Sequence, residues 1–136
     1  MKTFVTLIFG VFAVFCAFAQ ENQDVVPGPA ITFEEVAFDF GDIHQGDKVE
    51  HVFSFDNSGD APLIITNVQT TCGCTATDWP RDPILPGASA SIKVNFNSAG
   101  KMGRQNKIIT VISNASSSVN QVKIVTNVLP PEKDTE

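Results

Sequence analysis

The chain has 136 residues, with nine Lys and Arg against fifteen Asp and Glu and a net charge of −6. That length provides one domain with a core of its own, and three cysteines are too few for the stapled scaffolds of very small secreted proteins. The acidic balance, with cations scattered rather than blocked, excludes binding to a nucleic-acid backbone, which Lys and Arg carry.

The first residues, "MKTFVTLIFGVFAVFCAFAQ", place one cation, Lys2, before an apolar run from Phe4 to Phe18 and end in A-x-A at Ala17 and Ala19. This is the pattern of a secretory signal peptide, and the run is short for a transmembrane span, which needs roughly 20 apolar residues. Residues 1–19 are therefore expected to be removed, between Ala19 and Gln20, leaving no transmembrane segment in the mature chain. Lipidation at Cys16 would require a small residue before it, and Phe15 is bulky. Cleavage takes away Lys2 and Cys16 and leaves two cysteines and a net charge of −7. The expected location is the bacterial periplasm or the cell exterior. Residues 20–30, polar and proline-containing, read as a flexible leader.

From there to residue 129, short runs rich in Val, Ile, Phe and Thr recur between Gly, Asn, Asp and Pro clusters, without a sustained 3.6-residue stripe. Strands are expected near 31–40 (broken), 48–56, 63–69, 89–97, 106–113 and 119–128. In "KVEHVFSFDN", Val49, His51, Phe53 and Phe55 alternate with Glu50, Ser54 and Asp56, and in "SIKVNFN", Ile92, Val94 and Phe96 alternate with Lys93 and Asn95. Such half-buried strands predict an all-β fold, an antiparallel sandwich of about seven strands with Phe53, Phe55, Ile65, Ile92, Val94, Phe96 and Val111 in its core. Gly59 in "DNSGDAP" is expected at a positive φ, and Pro86-Gly87 in "LPGAS" to make a type II turn. Residues 130–136 read as a disordered tail. An exposed edge strand could accept a partner's strand.

"TTCGCTATDW" carries the two remaining cysteines, Cys72 and Cys74. Bonded together they would close a loop of about three residues, worth only roughly 1.5 kcal/mol of chain entropy before strain, so stability is a poor reason for the bond. Gly73 permits the bend it needs. A local, reducible disulfide or two packed thiols ending the preceding strand, a redox role, a soft-metal site completed by His44, His51 or Met102, and interchain bridges are the open readings. The local disulfide is the one expected in an oxidising compartment.

Other reactive side chains have plainer uses. His51 shares its face with Phe53 and Phe55 and should be hydrogen-bonded at the edge of the core, while His44 in "GDIHQGD" should be solvated. Trp79 in "TDWPRDP" should pack its long connection onto the sandwich, and one aromatic is no carbohydrate platform. Asp78 and Asp82 beside it could hold a cation but more naturally shape turns. No phosphate loop, nucleophile elbow or HExxH is present, and neither catalysis nor a cofactor is expected.

Read together, Phe53 to Asn114 resembles the bacterial domain of unknown function 1573 family. The likeness rests on F-x-F-x-N-x-G with a following proline and aliphatic residue (Phe53, Phe55, Asn57, Gly59, Pro62, Leu63), the C-G-C-T box (Cys72 to Thr75), a later P-G (Pro86, Gly87) and a late S-N (Ser113, Asn114). It implies an immunoglobulin-like sandwich and no reaction; many members carry further domains or repeats. The combined expectation is an exported, non-enzymatic structural or protein-interaction module, its partner an exported protein or a component of the cell envelope. A thiol-redox or soft-metal protein built on Cys72, Gly73 and Cys74 is the alternative.

Overall fold

The computed structural model of the chain describes residues 25–71 and 73–133. The expected signal peptide, its cleavage site and Cys72 lie outside them. Eight strands are formed and, among the described residues, no helix: β1 (Ile31–Phe33), β2 (Ala37–His44), β3 (Lys48–Asn57), β4 (Ile65–Thr70), β5 (Cys74–Asp78), β6 (Ser89–Asn97), β7 (Gly103–Ser113) and β8 (Val119–Leu129). They make two four-stranded sheets, ordered β1-β3-β6-β5 and β2-β8-β7-β4. No helix of the described residues is long and apolar enough to cross a membrane.

The alternation read in the sequence is what closes the sandwich. Phe53 and Phe55 on β3, Ile92, Val94 and Phe96 on β6, Ile109 and Val111 on β7, and Val122, Ile124 and Val128 on β8 point inward and are buried, as is Ile65 on β4. Each fully buried side chain of this size contributes about 1.5–3 kcal/mol by leaving water, and these residues form one continuous core. The fold is an all-β, immunoglobulin-like sandwich.

Two features depart from the sequence reading. Pairing is antiparallel except for β2, which runs parallel to β8 with a register shift between Asp39 and Asp42. Between those residues stands Gly41, at φ 71°. Parallel pairing needs a long crossover, here everything between β2 and β8, and local patterning carries no trace of it. The other departure is β5. The box expected to lie in a loop begins a strand, and Cys74, Thr75 and Ala76 pair with Phe96, Asn95 and Val94 of β6.

Candidate functional site

The residues singled out in the sequence fall at opposite ends of the sandwich. One end gathers Asn57, Gly59, Pro86 and Gly87. Asn57 is fully buried. Its amide nitrogen donates to the carbonyls of Ala61 and Ile84, both at 2.8 Å, and its side-chain oxygen accepts from the Gly59 N–H at 3.0 Å. Its backbone N–H donates to Ala88 O at 3.0 Å, and its own carbonyl accepts from Gly87 N–H at 2.9 Å. One side chain thus satisfies backbone groups that water cannot reach in the turn after β3 and the connection before β6.

Gly59 does not have the positive φ expected of it. Glycine is required there by crowding: a Cβ would stand 1.9 Å from the carbonyl oxygen of Gly28 and 2.7 Å from the Ala30 nitrogen. Residues 26–30 run against this turn. Val26 bridges Gly59 in parallel, and Asp60 and Ser58 donate their N–H groups to Gly28 O and Ala30 O, each at 3.0 Å. Pro86 and Gly87 occupy the middle of a turn closed by Ala88 N–H to Leu85 O at 3.0 Å, with Gly87 at φ 77°. That is the type II geometry.

At the other end the cysteine box is the corner where the chain leaves one sheet for the other, since β4 pairs with β7 and β5 with β6. Three residues make the crossing. Cys74 N–H donates to Thr71 O at 3.1 Å and Asn97 N–H to Gly73 O at 3.0 Å, while Gly73 takes φ 91°. The Thr70 hydroxyl donates to Cys74 O at 2.9 Å. Cys74 therefore packs inward against the core. Burial pushes its thiol from the ordinary 9.0 up to about 11, and the Lys107 ammonium offsets only part of this. A reactive cysteine needs the opposite shift. Thr75, next along, is exposed on the outer face opposite Asn95.

The remaining candidates are dispersed. His51 lies flat on Phe38, ring centroids 3.7 Å apart, with its edge near Phe53 and its Nε2 bonded to a Glu35 carboxylate oxygen. His44 ends β2, partly exposed, 3.7 Å from the Glu132 carboxylate. Met102 is exposed. Trp79 packs against the core, and the Arg81 guanidinium lies 3.5 Å from its ring centroid, so the face that might stack a ligand is covered by the chain itself. Asp78 ends β5 and Asp82 lies exposed in the connection that follows. No group of three or more His, Cys, Asp or Glu that could hold a metal ion gathers among the described residues.

Sequence reasoning missed how the strand edges are closed. The outward groups of Cys74 are engaged by Thr70 and Thr71 as above. On β2 the Asp39 and Asp47 carboxylates accept from the Gly41 and His44 N–H groups, both at 2.8 Å, and on β4 the Asn67 side chain takes the Val68 N–H at 2.9 Å. Edges blunted in this way are poor templates for an added strand. The signal was visible as Asp, Asn and Thr within edge segments.

The sequence model of the protein family of unknown function DUF1573 matches residues 31–128. No curated protein matches the chain. Among solved structures, the chain is similar to a protein of unknown function from Porphyromonas gingivalis W83, with TM-score 0.63 and 19% identity over 76% of this chain and 48% of that one. It is also similar to the secreted serine protease VesC from Vibrio cholerae (TM-score 0.58, 15% identity, 75% of this chain and 23% of that). A third likeness is to PapD-like domain 7 of human CEP192 (TM-score 0.54, 9% identity, 75% and 87%). At these identities the likeness is one of fold. The chain spans about half of the Porphyromonas protein and a quarter of VesC.

Proposed function

Since the chain belongs to the DUF1573 family, whose model covers most of it, we propose that it works as an exported, non-catalytic immunoglobulin-like module that acts through its surface on a protein of the cell envelope or exterior. One observation carries this reading: most of the described residues that carry the family resemblance are spent on architecture. Asn57, Gly59, Pro86 and Gly87 fix one end, and Gly73 and Cys74 turn the chain between sheets at the other. Export rests on the signal-peptide pattern of residues 1–19. The similar structures agree with a module, since in VesC the matched part is a minority of a larger secreted protein; fold alone supplies no activity.

Cys72 and Cys74 form, in this reading, a local disulfide at the corner that shapes it and adds little to stability. The thiol-redox and soft-metal alternative requires an accessible thiolate, which the half-buried Cys74, its thiol pushed up by desolvation, does not favour. A thiol count and metal analysis on exported protein, with and without reductant, separates the two. The expected result is no free thiol before reduction, two after, no stoichiometric metal, and a Cys72→Ser/Cys74→Ser variant that stays folded. Two free thiols with one bound metal per chain would replace this proposal by the alternative.

A further inference from the structure

The β1-β3-β6-β5 sheet is pitted beside the cysteine box. Its register sets Glu50, Asn95 and Thr75 in one row across β3, β6 and β5, and Lys48 beside Asn97 in the next. Gly73, just before β5, brings no side chain to that second row, and a depression of about 240 Å³ opens among these residues. On its wall the Asn95 Oδ1 is buried without a hydrogen-bond partner, alone in this among the buried side-chain oxygens and nitrogens of the described residues. Lys48 is exposed, and Lys101 lays its Cε 3.3 Å from where a Cβ on Gly73 would stand. Neither ammonium forms an ion pair among the described residues, and Glu50, the acid on the wall, lies 3.6 Å from the Lys93 ammonium instead.

We infer that this depression binds the carboxylate end of a peptide, with the terminal carboxylate beside the Lys48 and Lys101 ammoniums and the last amide N–H donated to Asn95 Oδ1. A buried acceptor with no donor is a cost the fold carries until something supplies one. Asn95 lines the depression, and χ2 of a terminal amide is soft, so a small turn presents the oxygen to a donor held there. A donor alone would suit water equally well. The ammoniums select an anion, and in a chain of net charge −6 an anion is drawn only where cations stand clear of acids. A peptide terminus joins carboxylate and N–H within one residue. An acidic sugar gains most from an open aromatic face, and the Phe96 ring behind the depression is buried. With one exposed charge contact and one hydrogen bond, binding is expected at about millimolar strength. The inference deepens the module reading, since it names the part of a partner protein that the surface holds.

It rests on that reading, which the thiol count and metal analysis decide separately, so failure here alone leaves a module whose partner sits elsewhere. The exported chain, isotope-labelled, is titrated with N-acetyl-Ala-Ala, with the same dipeptide amidated at its C-terminus, and with sodium glucuronate, and followed by two-dimensional NMR. The free acid is expected to give saturable shifts confined to residues 48–50, 73–75 and 95–97 and to the Asn95 side-chain amide, weakening as salt rises. The amidated peptide should bind about fivefold more weakly, as should the free acid to Lys48→Gln, the scale of an exposed ion pair. Lys123→Gln, on the other sheet, should change nothing. Asn95→Val should bind the acid more weakly yet melt no lower than the native chain, because it removes an unpartnered acceptor from a central strand. Acid and amide bound alike, glucuronate bound more tightly than the peptide, or no saturable shift with tens of millimolar peptide overturns the inference. So does an Asn95→Val chain that binds as tightly as the native one or melts lower.

Discussion

At the scale of single residues, Cys74 and Trp79, which look chemical in the sequence, pack against the core, while side chains that look like plain turn residues satisfy backbone. Asn57 is the clearest case: flanked by Asp56, Ser58 and Asp60 it reads as one polar turn residue among several. Its burial follows from the connection before β6 folding back over it, which no local window contains. Gly59 was legible as a required glycine but for the wrong reason, because the close approach of residues 28–30 is tertiary. Cys74 yields a residue-scale prediction. A thiol that ionises near 9.0 in the unfolded chain and near 11 in the folded one binds its proton more tightly when folded. Its contribution is then fully present below pH 9 and lost as the pH rises from about 9 to 11, since the unfolded chain gains by ionising first. With the protein kept reduced, the melting temperature should fall across that window more steeply in the native chain than in Cys74→Ser. Parallel curves would place the thiol in water.

The elements follow from alternation wherever one face is apolar, and β3, β6 and β8 come within a residue of their expected bounds for that reason. Phe55 tests the register directly. Its ring is fully buried and lies 5.3 Å, centroid to centroid, from Phe33 on the edge strand β1. Phe55→Ala should cost about 3–5 kcal/mol in urea denaturation, as lost transfer energy plus a cavity that neighbouring rings cannot fill. A loss below about 1 kcal/mol would put the ring on the surface. What alternation could not reveal is β5, whose inward residues, Cys74 and Ala76, are too small to mark an apolar face. Nor could it reveal the parallel pairing of β2 with β8, a contact between residues some 85 positions apart. The same shortage of inward bulk explains why the cysteine box reads as a loop. It is a strand by virtue of the ladder with β6, and its tight entry depends on Gly73, where a Cβ would meet the Phe96 ring at 3.1 Å.

For the molecule as a whole, the question is where the folding unit begins. Composition sets the start of the sandwich at Ile31, because residues 20–30 are polar and proline-containing. Hydrogen bonding sets it earlier. Gly28 N–H donates to the Asp60 carboxylate at 2.5 Å, Gly28 and Ala30 accept from Asp60 and Ser58, and Pro29 O accepts from Ser116 N–H at 3.3 Å. The segment thus ties the turn after β3 to the loop between β7 and β8. Each such bond contributes a net ~0.5–1.5 kcal/mol, and ordering a residue's backbone costs about 1–2 kcal/mol, so the two nearly cancel unless the turns it joins would loosen without it. They would, because the Asn57 side chain is shielded on this side by residues 28–30, its oxygen lying 3.4 Å from the Ala30 nitrogen. A chain starting at Ile31 should accordingly fold, keep its sheet content by circular dichroism, and lose about 2 kcal/mol relative to one starting at Gln20. Amide exchange should rise at Ser58, Gly59, Asp60 and Ser116 and stay unchanged in β6, β7 and β8. Equal stability of the two chains, with no change in exchange at those four amides, would show that residues 26–30 rest on the sandwich without supporting it.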